Sequence, residues 1–230
     1  MWRQLAASIA LPAIALLAIL RVGAPIRFQR VQYRATQDLA AGKLLIAKPQ
    51  LADPNFAESV VLIVQYDEDK GVMGLILNRR TKAPLSRVFP ELKGAKPDPV
   101  YEGGPVNKGS AQALLRSREK PEGATRVFGD VWATGSKGLI EKSVAAGDAS
   151  PVFRLYIGYA GWGTGQLEHE IDLGGWSILR ATAALVFDDD PDSLWQRLQR
   201  QTETRIALVG QDGILRPIGN RPWSYLGFCR

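Results

Sequence analysis

Between Leu155 and Trp176 the sequence runs LYIGYAGWGTGQLEHEIDLGGW, three structural signals within twenty-two residues. Leu155–Tyr159 is apolar, with aromatic and β-branched side chains, the make-up of a buried strand. Gly161-Trp-Gly-Thr-Gly165 is a glycine-rich corner, where the chain can take positive φ and other backbones can approach closely. Gln166–Asp172 reads as a short helix with Leu167 and Ile171 on one face, ended by Gly174-Gly175 and closed by Trp176. Two roles are open to the corner. A glycine turn feeding a helix N-terminus can hold an anion on its N–H groups. Alternatively, Gly161, Gly163 and Gly165 let Trp162 and Trp176 pack under a tight strand-to-helix turn. The spacing fits neither the dinucleotide nor the P-loop fingerprint, which favours packing.

The second constraint is a hairpin. Ser59–Gln65 (SVVLIVQ) is the strongest strand signal in the chain, Asp67–Gly71 is a charged turn, and Val72–Leu77 is the returning strand. The continuous apolar runs predict that both sheet faces are covered. Gly42–Ala47 is a further strand. Lys48–Phe56 cannot be regular through its middle, because Pro49 and Pro54 remove donors and Asp53-Pro54-Asn55 is turn chemistry.

These strings carry a resemblance. GKLLIAKPQLADPNFAESVVLIV, GVMGLILNR, YEGGPV (Tyr101–Val106) and GYAGWGTGQLEHEI occur in the order found in the YqgE/AlgH family of bacterial proteins, over roughly Gly42 to Gln201. The chain closely resembles that family. The resemblance implies an α+β fold: a single compact domain with a mixed, largely antiparallel sheet flanked by helices. It implies no established reaction, and the family's transcriptional-regulator label is tied to no DNA-binding motif. Two departures stand out. The family usually lacks an N-terminal apolar run. It also often has a leucine-histidine pair after the Gly-Gly-Pro-Val string, where this chain reads Ala113-Leu-Leu-Arg116.

That apolar run is Gln4–Leu20, uncharged and at the lower length limit for a membrane span. Signal anchor, cleaved signal peptide and buried helix all compete for it. Arg21, Arg27, Arg30 and Arg34 follow it, and positive charge tends to stay on the cytoplasmic side, so the flanks favour an anchor with the domain inside the cell. Cleavage after Ala24 would place Pro25 directly behind the cut. The expected organisation is therefore an N-terminal segment over 1–24, a polar linker over 25–41, and a domain over 42–230 whose tail diverges from about residue 210. Inner-membrane attachment through residues 4–20 is expected, with a cytoplasmic or an exported protein as the alternatives. Residues 1–41 carry five arginines and one aspartate, leaving 24 basic and 22 acidic residues in the rest. The globular part is nearly neutral, so nucleic acid is not the expected partner; a protein is.

Elsewhere, Leu85–Phe89 reads as one helical turn and Lys93–Pro99 as a loop. Ser110–Leu115 and Val131–Thr134 read as strands, and Ser136–Ala146 as a helix facing inward through Leu139, Ser143 and Ala146. Ser177–Phe187 is strand or buried helix. Asp188–Asp192 (DDDPD) reads as a helix start, Asp190 capping and Pro191 at the first position, ahead of the apolar face Leu194, Trp195 and Leu198. Gly210–Arg230 holds glycines, prolines, Trp223, Tyr225 and Phe228, and reads as a flap or a partner-binding tail.

Catalytic chemistry has little to work with. His169, between Glu168 and Glu170, is the only histidine, which excludes two-histidine metal sites. No serine sits in a nucleophile elbow. Cys229, the only cysteine, excludes an internal disulfide and a thiolate cluster. No catalytic residue, metal or cofactor is assigned. Asp53, Asn55, Asn78 and Arg79, at strand ends, are the best candidates for a shared polar binding site, against turn formation and strand-end hydrogen bonding. Three functional classes remain: a non-enzymatic binding or scaffold module with a regulatory role, an enzyme of unknown class using those four residues, and a DNA-associated regulator.

Overall fold

The computed structural model describes residues 39–51, 53–90, 99–146 and 152–212, with side chains through Glu203. The expected hairpin is its centre. Strand β2 (Val60–Asp67) returns as β3 (Gly71–Ile76), with Tyr66 opposite Val72 and Asp67 opposite Gly71. The turn forms because the Asp67 carboxylate accepts from the N–H groups of Asp69 and Lys70, both at 3.1 Å. Gly71 follows at φ 98, where a side chain would strike the Trp162 carbonyl. Alternation then sends Val60, Leu62 and Val64 into one core and Val61 and Ile63 into another. Both faces are covered, as the unbroken apolar run requires.

Around the hairpin stand β1 (Lys43–Ala47), antiparallel to β2, and β10 (Trp176–Arg180) beyond it. On the other side β3 pairs with β9 (Phe153–Trp162), followed by β6 (Val106–Arg116), β8 (Val131–Thr134) and β7 (Thr125–Phe128). A side branch of β4 (Arg80–Pro84) and β5 (Pro99–Glu102) joins the sheet where β5 runs parallel to β9. The sheet is thus mixed and largely antiparallel. It curls so that Phe128 of β7 lies against Gly42, ahead of β1, and Val127 and Val131 share a core with Leu44 and Leu179.

Helices close the three cores. α3 (Gln166–Asp172) covers the face of Leu45, Val61 and Ile63 through Leu167 and Ile171. α4 (Ala183–Val186) and α5 (Leu194–Asp212) cover the opposite face through Val186, Leu194 and Leu198. α1 (Leu85–Val88) and α2 (Lys137–Ala145) close a third cluster with Val100, Ala113 and Leu155. The inward face of α2 is Ile140, Ser143 and Val144; Leu139 is half-buried and Ala146 exposed, a rotation of the expected face. Ser177–Phe187 is both alternatives in succession, a strand and then a helical turn capped by Thr182. Strands β4, β5 and β7 carry too much charge or proline, or are too short, for their patterns to stand out in sequence.

The N-terminal apolar run, the linker through Asp38, most of the Lys93–Pro99 loop and the chain beyond Asp212 lie outside the described residues. Among the described residues no helix is long and apolar enough to cross a membrane.

Candidate functional site

Asp53, Asn55, Asn78 and Arg79 do gather around one loop, the connection from β1 to β2. The Asp53 carboxylate accepts from the Asn55 N–H at 2.8 Å and so caps the 3-10 turn Pro54–Phe56, with Pro54 at its first position. Asn55 is exposed. Asn78, just past β3, uses both ends of its amide: Oδ1 accepts from the Val60 N–H at 2.8 Å, and Nδ2 donates to the Glu58 carbonyl at 2.9 Å. Arg79 donates to the Ala57 carbonyl at 3.3 Å. Beside those carbonyls Glu58 sits at φ 53, a left-handed conformation unfavourable for a residue with a side chain. Asn78 and Arg79 therefore hold a strained turn at the entrance to β2.

Phe56, at the end of the 3-10 turn, joins this loop to the glycine corner. Its ring stacks on Trp162 at 5.3 Å and meets Trp176 edge-on at 5.5 Å; the two indoles lie 6.0 Å apart, edge to face. Both indole N–H groups donate to one carboxylate oxygen, Glu170 Oε2, at 3.1 and 2.8 Å. Glu170 Oε1 accepts from Gln166 Nε2 at 3.1 Å. Gln166 in turn accepts from the Gly163 N–H at 3.1 Å, reaching back over the turn as a capping side chain does. Beside it Tyr66 donates to Glu168 Oε1 at 2.9 Å; burial first, then that bond, push the phenol up to about 12.

The three corner glycines have different jobs. Gly161 lies within β9, opposite Met73. Gly165 is the left-handed residue, at φ 72, directly before α3. Gly163 corrects an expectation: it is outside the left-handed region, and a side chain there would meet only the Gln166 carboxamide, at 4.0 Å. Strand pairing persists through Trp162, which defers the turn to Thr164 and Gly165. The N–H that an anion would use at Gly163 already serves Gln166.

Close backbone approach occurs instead where the Gly-Gly-Pro-Val string meets β9. Gly103 donates to the Ile157 carbonyl at 2.9 Å and accepts from the Ile76 N–H at 3.0 Å. It thus enters the gap where β3 and β9 part. A Cβ on Gly103 would stand 2.3 Å from the Gly158 carbonyl, and one on Gly104 2.3 Å from the Ala160 nitrogen. Ala113-Leu-Leu-Arg116 ends β6: Ala113, Leu114 and Leu115 are buried, and Arg116 pairs with Asp130 at 2.7 Å. The pairing holds the Asp130 carboxyl below its ordinary range.

The Asp188–Asp192 run is a clamp. Asp192 pairs with Arg80 of β4, and Asp188 with Arg197 of α5 at 2.8 Å. Asp190 takes the expected N-cap position but makes no side-chain cap bond; its carboxylate accepts instead from the Ser193 hydroxyl, which lowers its pKa. Arg154 donates to the Val186 carbonyl at 3.0 Å and to that of Asp188, with its guanidinium over Tyr101 and Phe187. Arg154 and Tyr66 are not singled out by the sequence, and Glu170 reads there only as a charged helix-surface neighbour of His169, whereas it accepts from both indoles. A lone cation in the apolar β9 run was the one signal for Arg154; nothing local marks a carboxylate that two distant indoles share. His169 is exposed, as its charged neighbours suggest. Among the described residues no three carboxylate, histidine or cysteine side chains group as a metal site.

A family model described as AlgH-like matches residues 44–207. A UPF0301 protein of Thermobifida fusca is 36% identical over 177 residues, 73% of this chain and 89% of that one. A UPF0301 protein of Chlorobium limicola is 32% identical over 172 residues, 74% and 91% of the two chains. The solution structure of the AlgH protein from Pseudomonas aeruginosa superposes with a TM-score of 0.59 at 29% identity, covering 75% of this chain and 93% of that one. A crystal structure from Corynebacterium diphtheriae gives 0.61 at 26% identity, covering 71% and 87%.

Proposed function

The chain belongs to the AlgH-like family, and from that premise we propose that it is a non-catalytic binding and scaffold module with a regulatory role, attached to the inner membrane through residues 4–20. One observation carries the reading. The candidate polar groups make local structural bonds: both ends of the Asn78 amide, one Asp53 oxygen and one Arg79 N–H bond to backbone, and the Gly163 N–H bonds to Gln166. A catalytic group needs an atom directed at substrate. Membrane attachment is supported by the uncharged Gln4–Leu20 run and the four arginines behind it. The near-neutral remainder favours a protein partner over nucleic acid.

Fractionation and capture test this together. Full-length protein is expected in the inner membrane, resistant to a salt wash, and to bring down a protein partner in detergent. A C-terminal alkaline phosphatase fusion is expected to be inactive. Recovery of a mature chain beginning near Pro25 would end the anchor reading. Salt-dependent retention on DNA would favour the DNA-associated alternative.

A further inference from the structure

We propose that two copies of this chain associate through the outer edge of β10, each β10 pairing antiparallel with the other so that one sheet runs through both domains. This partner is a second copy, and the inference does not rest on the recruitment of any other protein. Among the described residues the sheet has three edges, β4, β7 and β10. Protein sheets blunt exposed edges with charge, proline and bulges, because a row of unpaired N–H and C=O groups recruits another strand. β4 (RTKAP) has two cations, a proline and a register shift. β7 (TRVF) has an exposed arginine and a register shift. β10 (WSILR) has neither proline nor bulge, pairs with β1 in unbroken register from Trp176 to Arg180, and bears its one charge at the far end.

The edge is complementary to itself in hydrogen bonding. Ala181 donates to the Gly42 carbonyl at 3.0 Å, and Lys48 to the Gly175 carbonyl at 2.9 Å, which sets the phase of the ladder between β1 and β10. Gly175, Ser177, Leu179 and Ala181 bond towards β1, so the N–H and C=O groups of Trp176, Ile178 and Arg180 point away from it. A two-fold axis at Ile178 sets Ile178 opposite Ile178 of the second copy and Trp176 opposite Arg180 of the second copy. In that register every one of the outward groups meets its complement. The edge is complementary in charge as well. Trp176 and Ile178 face the core beneath α3, and alternation puts Arg180 on the same face of the sheet. α3 carries Glu168, Glu170 and Asp172, and it leads into the Trp176 end of β10, where the Gly175 N–H donates to the Glu170 carbonyl at 2.9 Å. Within one copy the exposed Arg180 stands at the opposite end of the strand. Antiparallel pairing brings it beside the acidic end of the other copy's α3, where Asp172 is exposed. The exchange is reciprocal, so each copy supplies one cation and one acidic helix. Leu173, 72% exposed at that same end, flanks the pairing and offers apolar area to the second copy.

Sedimentation of the full-length protein in detergent tests this, over about a hundredfold range of concentration. Wild type is expected to pass from dimer to monomer on dilution. Ile178→Pro removes an outward N–H, which an edge strand tolerates, and Arg180→Glu reverses the charge that meets α3. Each is expected to raise the dimer dissociation constant at least about tenfold, with tryptophan fluorescence reporting an unchanged fold. Adding Asp172→Arg to Arg180→Glu swaps the charges across the two-fold and is expected to restore the dimer. A wild type that stays monomeric throughout would overturn the proposal. So would a dimer that Arg180→Glu leaves as tight as wild type, since that places the interface elsewhere, the N-terminal apolar segment included. Because Arg180 is exposed, this second variant keeps the test decisive if Ile178→Pro unfolds. No restoration by Asp172→Arg would overturn the register proposed. A dimer weakened by these variants, in protein that captures no other partner, supports this inference while ending the reading that a different protein is recruited.

Discussion

Glu170 concentrates more of the corner's polar bonding than any neighbour, because its carboxylate accepts from Trp162, Trp176 and Gln166 together. Both indoles are buried, so removing the acceptor leaves two donors without a partner. Each such loss costs roughly 1–3 kcal/mol. Glu170→Ala is accordingly expected to lower stability by about 2–4 kcal/mol in urea denaturation followed by tryptophan fluorescence, and Glu170→Gln by clearly less. Equal losses would show that side-chain volume, not acceptance, matters there. Tyr66 gives a pH-dependent counterpart. Its folded pKa is raised to about 12, above the ordinary value of 10.0, so the native state holds the phenolic proton more tightly than the unfolded chain. That contribution is complete below pH 10 and is lost as pH rises towards 12. The melting-temperature advantage of wild type over Tyr66→Phe should therefore shrink across that window, and a constant difference would contradict the Tyr66–Glu168 bond.

At the scale of elements, the glycines separate by what surrounds them. Gly103 lies where three backbones meet, and a methyl group there would overlap the Gly158 carbonyl. Gly103→Ala is expected to cost more than about 2 kcal/mol, or to abolish folding. Gly163→Val meets only the Gln166 carboxamide, at an ordinary contact distance of 4.0 Å, and no left-handed backbone, so its expected cost is within about 0.5 kcal/mol. Thermal unfolding of the two variants checks the contrast; a severe Gly163 effect would restore the strained-corner picture. Sequence could not have ranked them, because a glycine's neighbours across a sheet are long-range in the chain. Local signals fared better. The β2–β3 hairpin, β1, β9, α3 and the Pro191 helix start follow from runs, turns and caps within a dozen residues. β4, β5 and β7 escaped notice because their strand identity comes from pairing partners rather than from their own composition.

For the whole molecule, the family strings turn out to lie at the seams of one curled sheet: the β1–β2 loop, the end of β3, the wedge at Gly103, and the corner after β9. Asp53, Asn55, Asn78 and Arg79 stand out in the sequence as polar residues at strand ends, but the backbone atoms they bind do not, since these depend on how β2 and β3 pair. The central claim is that such residues hold the architecture rather than a ligand. Asn78 tests it most directly, because it satisfies the Val60 N–H and the Glu58 carbonyl at once. Residues kept for binding or chemistry commonly cost stability, so replacing them leaves a protein as stable or more so. Residues that hold backbone behave oppositely. The decisive measurement is the unfolding free energy of Asn78→Ala in urea: the account expects a loss of about 2–3 kcal/mol with an unchanged denaturant slope, and a variant as stable as wild type, or more stable, would contradict it.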